Sequence, residues 1–161
     1  MTDFPSLIRL LSQNNVEFII IGGAAATAHG SARLTQDLDV VYRRTPDNVG
    51  RLASSLAPHS PYLRDAPPGL PFRFDVETIT RGLNFTLVTD LGDLDLFGEI
   101  TGGGQYEDLL PHTIMLEMFG TSCRCLGLKR LVEVKRAAGR PRDLEAVAEL
   151  EALLDIKERQ S

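Results

Sequence analysis

Two aspartates, Asp37 and Asp39, stand two residues apart in an apolar segment of the N-terminal third. Side chains two apart on a strand project from the same face, so both carboxylates are expected on one side of a sheet. Two like charges at one place repel each other unless a cation lies between them. The usual cation is a hard divalent ion with oxygen ligands, and Mg²⁺ commonly brings substrate phosphates with it. The spacing therefore predicts metal-assisted chemistry on a nucleotide.

A pair of glycines precedes these aspartates. Residues 17–21 are apolar enough for a central strand, and Gly22 and Gly23 follow at once. Glycines let backbone N–H groups approach phosphate oxygens closely. A short helix predicted over 24–28 adds a favourable dipole for an anion at its start. Gly22 and Gly23 are therefore predicted to bind the phosphates.

A third carboxylate is expected on a later strand, over 94–97. Asp95 is preferred because it lies deeper in that strand, whereas its rival Asp93 sits against a turn. Three carboxylates on neighbouring strands can hold two divalent ions, one that helps to deprotonate an attacking hydroxyl and one that stabilises the leaving oxygens. The predicted reaction is in-line displacement at the α-phosphate of a nucleoside triphosphate, with release of pyrophosphate and Asp95 as the base.

Phosphate charge also needs cationic and hydrogen-bonding partners. Arg33 lies between the glycines and Asp37, and Lys135 lies in the basic segment 129–142; these two are the predicted cations. Ser31 and Thr35 are placed either on a phosphate oxygen or as caps of their loop. His29 is a weaker candidate base, because a loop histidine near a strand end is more often structural.

Length, composition and charge limit the function. The 161 residues, 43% of them hydrophobic, suit one domain over 1–161 with a full core. No 18-residue apolar run and no basic, apolar leader occur, so we expect a cytoplasmic protein without a membrane partner. The net charge of −5 argues against a broad nonspecific nucleic-acid surface but permits RNA held by a local basic patch.

Hydrophobic periodicity and turn signals predict the remaining elements. Residues 58–71 hold five of the nine prolines and are predicted as a loop, either a mobile flap beside the site or a bare surface loop. Gly139 is predicted to end one of two C-terminal helices. The predicted helices cover 4–14, 24–28, 45–56, 106–110, 128–138 and 141–158, and the predicted strands cover 17–21, 38–42, 73–78, 83–88, 94–97 and a hairpin over 113–126.

These motifs resemble those of the nucleotidyltransferase superfamily, the polymerase-beta-like fold. The resemblance rests on Ile21-Gly-Gly, on His29-Gly-Ser-x-Arg33-x-Thr35-x-Asp37-Leu-Asp39, on Thr89-Asp-x-Gly-Asp-Leu-Asp95 and on the segment from Lys135 to Leu144. Small bacterial nucleotidyltransferase-like proteins related to abortive-infection and type IV toxin–antitoxin components share this pattern. The resemblance implies an α+β fold with a mixed sheet flanked by helices, here with a C-terminal helical pair.

The resemblance also implies a set of roles. A nucleoside triphosphate lies at the glycine turn, Asp37, Asp39 and Asp95 bind Mg²⁺ or Mn²⁺, and Lys135 faces the site. Many superfamily members carry Gly-Ser at the turn, where the serine holds a phosphate; here the second position is Gly23, so backbone N–H groups or Ser31 must make that contact.

Three functions remain open from the sequence. The first is an enzyme that transfers a nucleoside monophosphate, from ATP or another triphosphate, to a hydroxyl of RNA such as tRNA or of a protein, as a stand-alone protein or with a cognate toxin or antitoxin partner. The second is a non-catalytic protein of the same fold that acts through a protein partner. The third is a nucleotide or metal sensor without transfer.

Overall fold

Seven strands form one mixed sheet in the computed structural model, which describes residues 1–160. Two further strands, Glu99–Ile100 and Gly104–Gln105, pair with each other in a small antiparallel ribbon. The strands in chain order are β1 (Phe18–Ile21), β2 (Asp37–Tyr42), β3 (Tyr62–Leu63), β4 (Phe85–Thr89), β5 (Gly92–Phe97), β6 (Glu99–Ile100), β7 (Gly104–Gln105), β8 (Thr113–Met118) and β9 (Thr121–Leu126).

Helices flank this sheet, and the last two form a packed pair at the C-terminal end of the described chain. The helices are α1 (Phe4–Gln13), α2 (Gly22–Ala28), α3 (Pro46–Leu56), α4 (Val76–Arg81), α5 (Tyr106–Leu109), α6 (Leu128–Ala138) and α7 (Pro141–Gln160), with two 3-10 turns at Ala57–His59 and Leu110–His112. The predicted α+β class, with its mixed sheet and C-terminal helical pair, is confirmed.

The strand order places the acidic residues side by side. The sheet runs β3-β4-β5-β2-β1-β9-β8, with β2 and β5 parallel neighbours in its middle. Their register sets Asp39 beside Asp95 and Asp37 beside Asp93. On the other side, β1 is antiparallel to β2 and sets Ile21, the residue before the glycines, beside Asp39. The glycine turn and two acidic strands therefore meet at one place.

Burial of apolar strands and helix faces holds this frame together. All four residues of β1 are buried, and α1 buries the face that carries Leu7, Ile8 and Leu11. Leu38 and Val40 of β2 are completely buried on the face opposite to the aspartates. Each such side chain contributes roughly 1.5–3 kcal/mol by leaving water, so the strand that carries the site is firmly anchored.

Two predicted elements are wrong. Residues 73–78 were expected as a strand, but α4 begins at Val76 because the Asp75 side chain caps it and accepts a hydrogen bond from the Thr78 N–H at 2.9 Å. The loop predicted over 58–71 contains β3, which pairs with β4 at the edge of the sheet. The helix predicted over 24–28 begins two residues earlier, at Gly22.

The C-terminal pair follows the sequence signals. Helix α6 ends at Ala138 and is capped by Gly139, which has a φ of +68° and whose N–H donates to the Lys135 carbonyl, as predicted for a glycine cap. No helix within residues 1–160 has both the length and the apolar composition needed to span a bilayer.

Candidate active site

Three carboxylates converge at the centre of the sheet. Asp37 and Asp39 project from β2 and Asp95 from β5, and one oxygen of each lies within 4.8 Å of the others. Their burial differs: the Asp95 side chain is 15% exposed and the Asp37 side chain 38%. Asp93, the rival third carboxylate, lies outside this group of close oxygens. The arrangement groups the predicted metal ligands at one point.

Asp39 is the carboxylate of the three whose ionisation is least favourable. Burial, followed by the nearby charges of Asp95 and Asp37, raises the pKa of Asp39 from its ordinary value to about 7. Burial likewise raises the pKa of Asp95, although its bond from the Arg64 guanidinium opposes the shift. Burial and mutual repulsion therefore both oppose ionisation of all three carboxylates at this place.

The donor set fits a hard divalent ion. Asp39 Oδ1 is buried without a hydrogen-bond partner among the described residues, which is costly for a carboxylate oxygen. Carboxylate oxygens are the ligands that Mg²⁺ and Mn²⁺ prefer. An ion held by Asp37, Asp39 and Asp95 would satisfy that oxygen and relieve the repulsion among the three carboxylates.

Gly22 is required by its contact with Asp39. Its φ is +63°, a left-handed conformation that side chains rarely adopt, and a Cβ built there would lie 2.3 Å from Asp39 Oδ2. The backbone at this turn therefore approaches the carboxylate as closely as a residue without a side chain permits.

Gly23 is required by a different neighbour. A Cβ at this position would lie 2.6 Å from both Cβ and Oγ1 of Thr35. The Thr35 side chain thus occupies the space that a serine at position 23 would need, and its hydroxyl donates to the Asp37 carbonyl oxygen at 3.2 Å. Thr35, from the loop that follows α2, therefore restricts position 23 to glycine.

We expect Gly23→Ser to destabilise the protein by about 1–3 kcal/mol, because the new side chain overlaps Thr35. The overlap includes Thr35 Cβ, so only Thr35→Gly clears the space, and the double variant should be more stable than the sum of the single changes. Urea unfolding of the four proteins measures this coupling. Strictly additive effects would show that the two positions do not compete.

A cavity of about 460 Å³ opens beside the carboxylate triad of Asp37, Asp39 and Asp95, and basic side chains line it. The pKa of Lys135 is lowered by burial, while Asp143 and Asp39 oppose that shift, so the ammonium is partly desolvated beside the acidic site. Arg33 is exposed at the rim. The basic side chains that line the cavity are Arg33, Lys135, Arg140 and Arg142.

Ser31 is engaged by a residue that the sequence analysis missed. Its hydroxyl donates to Glu149 Oε1 on α7 at 2.5 Å and accepts the Arg33 N–H at 3.1 Å. The other Glu149 oxygen accepts the Ala32 N–H at 3.3 Å. Contact between Ser31 and a phosphate therefore requires the hydroxyl to leave Glu149, which otherwise fixes the loop.

His29 has a structural position. It is 5% exposed, and its Nε2 lies 2.8 Å from the Leu126 carbonyl oxygen while its Nδ1 lies 2.9 Å from Lys157 Nζ. An Nε2–H that donates to the carbonyl leaves Nδ1 to accept from the ammonium. The ring joins α2 to β9 and α7.

Asp143 also has a structural role, as the partner of Arg140. The residue is 4% exposed, and its carboxylate accepts two hydrogen bonds from Arg140, at 2.6 and 3.2 Å. Burial alone would raise the pKa of Asp143, but the Arg140 hydrogen bonds outweigh it and the pKa is lowered. The pair fixes Arg140 at the wall of the cavity.

Arg64 is the largest omission of the sequence analysis. Its guanidinium bonds Asp95 Oδ1, and lies 3.6 Å from Asp93 Oδ2 and 3.7 Å from Asp37 Oδ2. It comes from the segment predicted as a proline-rich loop, where no spacing pattern distinguishes it from a surface arginine. Only the pairing of β3 with β4 brings it to the site.

Known structures share this architecture. No family model and no curated protein matches the sequence significantly. An antigenic nucleotidyltransferase-like protein from Paracoccidioides brasiliensis is similar in structure, with a TM-score of 0.57 and 15% identity over 94% of this chain and 73% of that one. ANT(2″)-Ia in complex with adenylyl-2″-tobramycin gives a TM-score of 0.51 and 14% identity over 98% of both chains. The chain therefore has the nucleotidyltransferase fold.

Proposed function

We propose that this protein is a metal-dependent nucleotidyltransferase, which moves a nucleoside monophosphate from a nucleoside triphosphate to a hydroxyl and releases pyrophosphate. One observation carries the proposal: the close oxygens of Asp37, Asp39 and Asp95 lie at a cavity that is also lined by four basic side chains. Carboxylates and cations are the two halves of a triphosphate–metal site. The fold, shared with nucleotidyltransferase-like proteins, supports the same reaction class.

The acidic residues would bind the metal ion, and the basic residues would bind the phosphates. Asp37, Asp39 and Asp95 would hold Mg²⁺ or Mn²⁺, which supplies Lewis-acid stabilisation of charge on the phosphoryl oxygens. Lys135 and Arg33 would bind the triphosphate, with Gly22 and Gly23 letting it approach the backbone. Asp95 would accept the proton of the attacking hydroxyl. Such transfer depends mainly on positioning and electrostatics, which these residues provide.

The cavity is large enough for part of a nucleotide, and a second one adjoins it. The second has a volume of about 380 Å³ and shares Asp39, Lys135 and Arg140 with the first. Its wall is more apolar, with Ile100 and Val134 among its residues. Together they offer charged space for phosphates and apolar space for a base or an acceptor.

For the acceptor we propose a hydroxyl of RNA, such as tRNA, or of a protein. The resemblance to abortive-infection and type IV toxin–antitoxin components supports a role within such a pair. Arg140 and Arg142 at the cavity wall offer a local basic surface for RNA despite the negative net charge.

Calorimetric titration with ATP, GTP, CTP and UTP in Mg²⁺ tests the nucleotide site. We expect metal-dependent binding of at least one triphosphate and about tenfold or greater weakening in Lys135→Met, because charge-assisted contacts to phosphate are strong. Lys129→Met is the matched control, since Lys129 is exposed on the same helix and does not line the cavity. Absence of metal-dependent binding, or equal binding by both variants, would refute the proposed site.

A further inference from the structure

Arg64 divides the acidic site into two parts. Its guanidinium faces Asp95, Asp93 and Asp37, all within 3.7 Å of one of its nitrogens. The fourth carboxylate, Asp39, lies outside this set and retains a buried oxygen without a hydrogen-bond partner among residues 1–160. Arg64 therefore already places positive charge against the Asp93 side of the site, whereas Asp39 makes no ion pair within residues 1–160, and Lys135 and Arg140 act on it from beyond ion-pair distance.

The position of Arg64 is fixed by the sheet. Its backbone N–H donates to the Thr86 carbonyl at 3.0 Å, and its guanidinium donates to the Leu87 carbonyl at 2.9 Å. The side chain is only 20% exposed. An arginine held by β4 at both its backbone and its guanidinium is a resident part of the site, because displacing it would cost these bonds in a largely buried place.

The chain on either side of Arg64 is also packed. Tyr62 contacts Phe72 edge-on with 6.1 Å between ring centroids, and Phe74 contacts Phe85 of β4 in the same way at 5.5 Å. The Tyr62 hydroxyl accepts the Leu70 N–H at 3.2 Å. These contacts tie the proline-rich segment to the sheet, which does not favour a flap that swings Arg64 away.

We propose that Arg64 takes the place of a second divalent ion, so that the site holds one ion, on the Asp39 side, beside a permanent guanidinium. This inference rests on the metal-dependent function proposed above. It replaces the two-ion site expected from three carboxylates alone. The guanidinium would keep Asp95 oriented toward the attacking hydroxyl, as a positioning residue for that carboxylate.

Counting bound Mn²⁺ without nucleotide tests the inference. The electron paramagnetic resonance signal of free Mn²⁺ gives the number and affinity of ions bound by the wild type and by Arg64→Gln. We expect one ion in the wild type, and in Arg64→Gln two ions, with the first bound about tenfold or more tightly because a nearby positive charge has been removed. Asp39→Asn should lose the wild-type ion, which assigns that ion to this site.

Two further variants control for charge and fold. Arg81→Gln removes the same charge from an exposed arginine on α4 and should bind one ion with wild-type affinity. Arg64→Lys keeps a positive charge and should also bind one. Far-ultraviolet circular dichroism checks that each variant is folded. The count of one Mn²⁺ in the wild type can be tested even if a variant fails to fold.

The Mn²⁺ counts either support or overturn the one-ion inference. Two ions in the wild type, none in the wild type, or an unchanged count and affinity in Arg64→Gln would overturn the inference. A wild type that binds one Mn²⁺ and gains a second in Arg64→Gln, yet neither binds nor transfers any nucleotide, would support the inference and refute the proposed function. The two failures are therefore distinguishable.

Discussion

Replacing Asp39 by asparagine is expected to stop nucleotidyl transfer and, at the same time, to stabilise the metal-free protein. Asp39 is the triad member with a buried oxygen that has no hydrogen-bond partner within residues 1–160, so its loss removes the ligand that most needs the ion. Ions of this kind contribute several kcal/mol to charge stabilisation in a transition state, and we expect transfer to fall by about 10³-fold or more. Metal-dependent stabilisation of the fold should disappear with it.

The gain in stability follows from the raised pKa of Asp39, about 7 against an ordinary 3.8. Between these values the folded state binds more protons than the unfolded state, so the free energy of unfolding falls as pH rises through this window. Asparagine does not ionise and escapes this loss. The variant should therefore gain on the order of 1–3 kcal/mol above pH 7, and the gain should vanish below about pH 4.

Urea unfolding in the presence of a chelator, at pH 8 and at pH 4, measures the effect together with pyrophosphate release at pH 8. Asp155→Asn is the matched control, because Asp155 is exposed on α7 and does not line either cavity beside the triad. A variant that transfers nucleotide like the wild type, or that is less stable than the wild type at pH 8, would contradict this account of Asp39.

Replacing Gly22 by alanine is expected to have the largest effect on stability. The position combines a φ of +63° with a Cβ site 2.3 Å from Asp39 Oδ2, so both the backbone and a buried carboxylate must move. Left-handed strain and the overlap together should cost about 3 kcal/mol or more. Displacement of Asp39 should also weaken metal binding.

Gly50→Ala provides the comparison within the same fold. Gly50 lies inside α3, and a Cβ there meets no atom of the described chain within 4 Å. Alanine is a better helix former than glycine, so this variant should be about 0.5–1 kcal/mol more stable. Thermal and urea unfolding of the two variants should give changes of opposite sign. Similar changes in both would mean that the space around Gly22 does not govern its identity.

The shared face of Asp37 and Asp39 and the glycine turn beside them could be predicted because they depend on local order. Two residues that stand two apart on a strand, such as Asp37 and Asp39, always share a face. A tight turn directly after a strand, as after β1, favours glycines because they adopt a positive φ without strain. The C-terminal helices follow from the apolar periodicity and from Gly139, a cap that needs only its own φ. These features involve neighbours in sequence, so a sequence pattern can carry them.

Helix α4 was predicted incorrectly because a local contact competed with a periodic pattern. Residues 73–78 alternate in a way that is typical of a strand, but the side chain of Asp75 caps a helix instead. The error lies in a segment that the sheet does not require. It leaves the candidate site unchanged.

The sequence alone determined the fold class and the carboxylates, whereas the tertiary structure decided what surrounds them. Asp95 stands beside Asp39 because β5 lies parallel to β2, and no spacing of 56 residues encodes that register. Arg64 reaches the carboxylates through the pairing of a two-residue strand, and Glu149 reaches Ser31 from the last helix. These contacts join distant parts of the chain by packing and strand pairing, and that is the physical reason that residue types and local spacing predicted the acidic site but not the arginine within it.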